Sequence, residues 1–241
     1  MRPIRCWHHR AVLWLLLCLG WCVAPASGQS KLVVRKMANF TLLVPSNQDP
    51  TQLTGLLESA RKRVQEYGLA LPRAVVVRIY STSVQFAQAT GLTTAHLAGE
   101  RNGRLHLQPL PLLLRRPEAS RTLQHELVHL ALAQAARNGL PRWFNEGMAM
   151  VVAGEKQPES VKFVTLQALQ DTLLRSRSYP ALRSAYGTCQ RLVEKVVSQQ
   201  GQPAVLAMLR AVANGGKFPE RFRRLAGQSA PDWARQWLAK P

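Results

Sequence analysis

The chain has 241 residues, 46% of them hydrophobic and 19% charged, a balance that excludes a disordered tail, a collagen-like fibre and a polytopic membrane protein. Lys and Arg number 32 against 13 Asp and Glu, a formal charge of +19. That excess points to anionic surroundings, either an envelope polymer or a membrane surface. Nucleic acid is the weaker candidate, because the chain has no aromatic-interleaved basic motif and no zinc-finger spacing.

Arg2, Arg5 and Arg10 precede an uncharged apolar run, Ala11–Ala24, which ends in Pro25-Ala26-Ser27-Gly28. A basic start, an apolar stretch and a small-residue exit have the layout of a secretory signal peptide, with cleavage after Ala26 or Gly28. Residues 1–28 are therefore expected to be a leader, and the protein to be secreted or periplasmic. The rival is a retained membrane anchor over residues 11–24, although a span usually needs about 20 apolar residues. Loss of the leader removes three arginines and no acid, leaving +16. Cys6, Cys18 and Cys22 would go with it, so Cys189 remains alone and no internal disulfide can form. Stability must then come from packing and from any bound metal.

Strand patterns dominate up to about residue 114. Leu32–Val34 and Phe40–Val44 read as a pair of strands. Thr51–Gly68 carries apolar residues at helical spacing, with Gly68 as its stop. Ala74–Tyr80 is a β-branched strand, and Ser83–Ala89 a short helix. Asn102-Gly103 is a type I′ turn signal inside Ala95–Gln108, which predicts a hairpin. Leu110–Leu114 is interrupted by Pro111. A long helix is expected over Pro117–Arg137, ended by Asn138-Gly139. Further helices are expected near Phe144–Val152, Glu159–Leu174, Ala181–Gln199, Ala204–Ala213 and Pro231–Leu238. The pattern is α+β: an N-terminal α/β lobe over residues 29–116, with a mixed sheet and an edge hairpin, then a helical lobe over residues 117–241.

His125-Glu126-Leu127-Val128-His129 lies inside the long helix. Residues four apart fall on nearly one helical face, so the two imidazoles stand one turn apart with Glu126 beside them. Leu123, Leu127 and Leu130 take the opposite face, leaving the histidines to a cleft. Neutral imidazole suits zinc, and a catalytic zinc site wants a third protein ligand and an open position. Glu146 follows in Trp143-Phe144-Asn145-Glu146-Gly147-Met148-Ala149. The short link before it should fold its helix back on the first and bring Glu146 opposite His129. Gly147 and Ala149 leave room for close helix approach.

H-E-x-x-H followed by W-x-N-E-G-x-A resembles the gluzincin metallopeptidases, particularly the aminopeptidase branch and the smaller peptidase MA-like domains. The resemblance is strong over residues 120–150 and weaker from the Ala95–Gln108 hairpin to about Gly216. It implies a zincin-like fold, one Zn²⁺ held by His125, His129 and Glu146, and Glu126 as the general base that takes a proton from water and passes it to the leaving amine. It also implies a tyrosine on a later helix that steadies the oxyanion; Tyr186 stands where that residue is expected, with Tyr179 as competitor. An edge strand of the family holds substrate backbone, and Ala95–Ala98 or Leu105–Leu107 could supply it. The sequence departs from the aminopeptidases in lacking a G-x-M-E-N-like segment, in a shorter interval from His129 to Glu146 and in its overall length. Exopeptidase action is therefore unsupported, and no acid is evident as an outer partner for either histidine.

The expected activity is zinc-dependent hydrolysis of peptide or protein substrates. The alternatives are a zincin-fold scaffold that binds an anionic envelope component without turnover, and an amidase acting on cell-wall peptides. Of the remaining features, His96 and His106 read as strand-surface histidines, Cys189 as a small buried hydrophobe, and Arg61-Lys62-Arg63, Arg115-Arg116 and Arg221, Arg223 and Arg224 as solvated helix faces.

Overall fold

A computed structural model describes residues 31–136, 139–156 and 161–238. The expected leader, residues 1–28, lies outside the described residues, as do Arg137 and Asn138. Five strands form one mixed sheet in the order β1-β2-β3-β5-β4: β1 Leu32–Lys36, β2 Phe40–Pro45, β3 Val75–Ile79, β4 Ala98–Arg101 and β5 Arg104–Leu107. The central pairs β2/β3 and β3/β5 are parallel; hairpins β1/β2 and β4/β5 close the two sides antiparallel. The β4–β5 turn has φ of 53° at Asn102 and 72° at Gly103. Two positive φ values match the right-handed twist of the flanking strands, which is why Asn-Gly specifies this turn. The fold is α+β as expected, a mixed sheet followed by helices.

Strand alternation assigns the two faces of the sheet. Phe40, Leu42, Val44, Val75, Val77, Ile79, Leu105 and Leu107 are buried beneath α1 (Thr51–Glu66) and α4 (Ala119–Ala136). Against the other face lies α2 (Ser83–Thr90), whose Phe86 meets Tyr80 edge-on at 6.0 Å. The buried residues of sheet and helices join in one continuous cluster.

Three helix boundaries depart from expectation for local reasons. α3, Leu110–Leu114, is helical because Pro111 falls in its first turn, where the missing N–H costs nothing. α6 begins at Leu166, where the Thr165 hydroxyl accepts the Ala168 N–H; residues 161–165 are not helical, and the expected start at Glu159 lies outside the described residues. α9, Phe218–Ala226, was not anticipated, because its apolar signal in the sequence rests mainly on Phe218 and Phe222 among four charged residues. Both rings are buried in a ladder of Trp143, Phe144, Phe218, Phe222 and Trp233. The remaining helices are α5 (Arg142–Ala153), α7 (Tyr179–Gln200), α8 (Gln202–Ala213) and α10 (Ala230–Leu238).

The Arg61-Lys62-Arg63 cluster is not a uniform solvated face. Arg61 is buried and donates to the Pro72 carbonyl at 3.2 Å, and Arg63 caps α5 through the Val152 carbonyl at 3.2 Å. Lys62, 3.8 Å from Glu66, and Arg63 both remain exposed.

Candidate active site

α4 runs through the middle of the protein, against α1, β4, β5, α5 and α8. Leu123, Leu127, Val128, Leu130, Ala131 and Leu132 are all buried, so packing covers most of its circumference. His125, Glu126 and His129 occupy the remaining strip, and their partial exposure opens to the cleft. α5 returns antiparallel after the short turn that ends at Pro141, whose extended φ and ψ of −67° and 147° set the entry into the helix. That return brings Glu146 Oε2 to 3.5 Å from His125 Nε2 and 3.4 Å from His129 Nε2. The two rings lie 4.7 Å apart at 74°, and one ligand atom from each of the three residues lies within 4.8 Å of the others.

These separations suit a tetrahedral ion. Bonds of about 2.0–2.2 Å to nitrogen and oxygen span a donor–donor edge of roughly 3.3–3.5 Å. Two imidazole nitrogens and one carboxylate are also a donor set that zinc favours and magnesium does not. The far side of each ligand is held. His129 Nδ1 is 3.1 Å from Asn145 Oδ1, which must accept and therefore fixes the proton on Nδ1. His125 Nδ1 lies 3.1 Å from Glu155 Oε1, with the oxygen off the N–H axis, so this is a charge contact rather than an aligned hydrogen bond. Arg142 Nε stands 3.4 Å from Glu146 Oε1, turning the other oxygen toward the histidines. Such outer partners orient ligands and raise their basicity.

Glu155, Asn145 and Arg142 were not assigned as such from the sequence. Arg142 and Asn145 share a helix with Glu146 and could have been found by asking which neighbours share its face. Glu155 could not. Gly154 closes α5 in the left-handed conformation at φ 66°, and the Glu155 N–H returns to the Met150 carbonyl at 3.0 Å. That cap folds the chain back over α5 and aims Glu155 at His125.

Burial by itself would lower both imidazoles, but the carboxylates of Glu146 and Glu155 reverse this and push His125 up to about 10. His129 is raised as well, mainly by the charge of Glu146. Burial would raise the Glu146 carboxyl, yet the two facing imidazoles hold it well below the usual range. With only protons to balance it, the cluster draws positive charge to its centre. A divalent ion entering there must displace the His125 proton, so affinity rises with pH and levels off only above about 10. Chelator competition at pH 7 and pH 8 is expected to show zinc binding at least about tenfold tighter at the higher pH. Equal affinities would mean that the imidazoles are already neutral.

Glu126 Oε2 accepts the backbone N–H of Glu100 at 2.7 Å. This ties the helix to β4, the sheet edge. β5 lies between β3 and β4, so Leu105–Leu107 has no open side, and the edge is Ala98–Arg101 rather than Ala95–Ala98. Arg101/Arg104 and Gly99/His106 are the pairs that exchange hydrogen bonds by antiparallel alternation, so the N–H and C=O of Ala98 and Glu100 point outward.

Tyr186, on α7, is half-buried. Burial first, then the Glu146 carboxylate, pushes its hydroxyl up to about 12, against the pull of Arg142. Tyr179, at the start of the same helix, is 70% exposed and lies beneath Arg183. The two tyrosines are thus separated, and Tyr186 is the one within the electrostatic reach of Glu146. Cys189, one turn further, is fully buried. His96 is exposed and bonded to Thr93, and His106 pairs with the Tyr80 hydroxyl at 2.8 Å; both stand outside the cluster.

Gly147 allows the close helix approach expected of it, and the helix it admits is α7. A Cβ there would lie 2.4 Å from the Cys189 carbonyl oxygen and 2.6 Å from Val193 Cγ2, so the glycine admits α7 rather than α4. Gly147→Ala is expected to cost about 1–3 kcal/mol by forcing α5 and α7 apart. Urea denaturation reads this directly, and an unchanged midpoint would show that the helices slide freely.

The sequence profile of the family described as the peptidase MA superfamily matches residues 116–239, just over half of the chain. No curated protein matches it.

Proposed function

The chain belongs to the peptidase MA superfamily, and from that premise we propose that it is a zinc-dependent metallopeptidase hydrolysing peptide bonds in peptides or proteins, with Glu126 as general base. The observation that carries this reading is the convergence of His125 Nε2, His129 Nε2 and Glu146 Oε2 at tetrahedral-edge distances beside Glu126. Those three atoms would hold the ion. Zinc bound by two neutral imidazoles and one carboxylate keeps a net positive charge and supplies Lewis-acid chemistry, acidifying water and polarising a carbonyl.

The rest is done by the chain itself. The Glu100 N–H pins Glu126 Oε2, leaving Oε1 to take the proton of the attacking water and deliver it to the leaving nitrogen. Tyr186, its hydroxyl pushed up to about 12, stays a neutral O–H donor at any working pH. It donates to the carbonyl oxygen as negative charge develops there. Asn145 and Glu155 keep both histidines presenting Nε2 inward. The outward Ala98 N–H and C=O, with the Glu100 C=O, can pair with an extended substrate backbone along the cleft.

The complete set of ligands and base supports turnover over a purely scaffolding role. The layout of residues 1–28 supports a secreted or periplasmic location. Zinc-loaded protein is expected to carry one ion per chain and to cleave casein or an unbiased peptide library. In the same assay Tyr186→Phe should lower kcat by roughly 10²-fold, as for other oxyanion donors, and Tyr179→Phe should not. Stoichiometric zinc without cleavage of casein, peptides or peptidoglycan fragments would favour the scaffold; equal effects of the two tyrosine variants would remove Tyr186 from the mechanism.

A further inference from the structure

The face of the sheet turned away from α4 carries chemistry that hydrolysis does not use. Strand register sets out two rows across it: Lys36, Thr41, Val76, Arg104 and Arg101, and beside them Val34, Leu43, Arg78, His106 and Gly99. Neighbouring strands are about 4.8 Å apart, so each row spans roughly 20 Å. Four permanent cations lie within that area, and none of them is ion-paired to a carboxylate among the described residues. Their local contacts are neutral: Arg78 lies over the Tyr80 ring, and Arg101 donates to the Thr90 carbonyl. The five strands contain one acid, Glu100, which points to the other face and accepts the Gly103 N–H.

Two further features define what this surface fits. Aliphatic side chains are interleaved with the cations: Val34 is 55% exposed and Leu32, beside it on β1, 40%, with Leu43 and Val76 half-buried. A depression of about 280 Å³ lined by Ala89, Arg101, Asn102, Arg104 and His106 interrupts the cationic end. Hydrated polyanions reward the charges but give the exposed methyl groups nothing, and the one ring in the rows, His106, is already stacked on Tyr80 and hydrogen-bonded to its hydroxyl. An anionic lipid surface rewards both, through headgroup phosphates and the acyl boundary beneath them.

We propose that this outer sheet face docks on an anionic phospholipid surface, with Lys36, Arg78, Arg101 and Arg104 against the headgroups, a phosphate in the depression between Arg101 and Arg104, and the β1 aliphatics at the acyl boundary. Docking in this orientation leaves the zinc-ligand cluster on the opposite side of the sheet uncovered. The apolar run ending at Ala24 lies only seven residues before Lys31, a reach of roughly 24 Å, so a retained anchor would keep this face within reach of the bilayer. The inference does not depend on peptidase activity.

Flotation with phosphatidylcholine vesicles, and with vesicles in which a third of the lipid is phosphatidylglycerol, tests it on the full chain. Residues 11–24 contribute equally to both vesicle types, and Arg2, Arg5 and Arg10 add the same anionic preference to every variant, so the readout is the ratio of the two affinities and its change between variants. The expected ratio is at least about 20-fold at low salt, since each basic side chain near an anionic surface contributes roughly fivefold, and it should fall as salt rises. Lys36→Gln/Arg104→Gln should reduce the ratio about 20-fold, and Lys36→Glu/Arg104→Glu should reduce it further. Arg223→Glu/Arg224→Glu, an equal change of net charge on the exposed side of α9, should leave it intact. The proposal is overturned if the ratio is near one, or if the α9 pair weakens binding as much as the sheet pair, which would make the effect one of overall charge. It is also overturned if polyglutamate or duplex DNA binds this face as tightly as the anionic vesicles, which would make it a polymer site.

Discussion

Glu126→Gln is expected to leave one zinc ion per chain in place while kcat falls by about 10²–10⁴-fold. The amide keeps the size of the carboxylate, and its oxygen can still accept the Glu100 N–H that holds the side chain at 2.7 Å. What it loses is the capacity to take up a proton. The three ligand atoms belong to other residues, so metal content should be untouched. Parallel metal analysis and single-turnover hydrolysis separate the outcomes. Undiminished hydrolysis would remove Glu126 from the chemistry, and zinc lost along with activity would make it a ligand or a structural support.

A graded loss of zinc is expected from variants around the ion. His125→Ala and Glu146→Ala each remove one of the three proposed protein ligands. They should weaken zinc by well over 100-fold, beyond the roughly 10–100-fold typical of losing an outer partner. Glu155→Ala should fall within that smaller range, because it leaves His125 Nε2 in place and removes only the contact at Nδ1. Circular dichroism should show all three folded, since the side chains lie at the cleft and not within the aliphatic core. If Glu155→Ala costs as much zinc as His125→Ala, Glu155 is a ligand; if Glu146→Ala costs nothing, the third ligand is not Glu146.

How much of this was legible in the sequence depended on chain separation. The i, i+4 pairing of His125 and His129 follows from helical pitch alone, and Glu146 follows from an intervening turn too short to permit anything but an antiparallel return. The hairpin at Asn102-Gly103 was readable for the same reason, since two residues specify its backbone. α9 escaped because two buried phenylalanines among charges do not make a periodic signal, although each of them finds an aromatic partner in the folded chain. Arg61 looked like surface charge for a related reason: the carbonyl it satisfies, on Pro72, lies 11 residues away.

Local geometry therefore determined the two-histidine face, the returning carboxylate and the α+β layout, because each rests on hydrogen bonds or turns spanning only a few residues. Packing decided what stands behind and across from them: Glu155 against His125 through the cap at Gly154, the Glu100 N–H on Glu126, Tyr186 rather than Tyr179 near Glu146, and β4 as the open edge. Those contacts join elements whose relative placement is set by which apolar faces are buried together. Burial is a property of the whole core, and no short stretch of residues contains it.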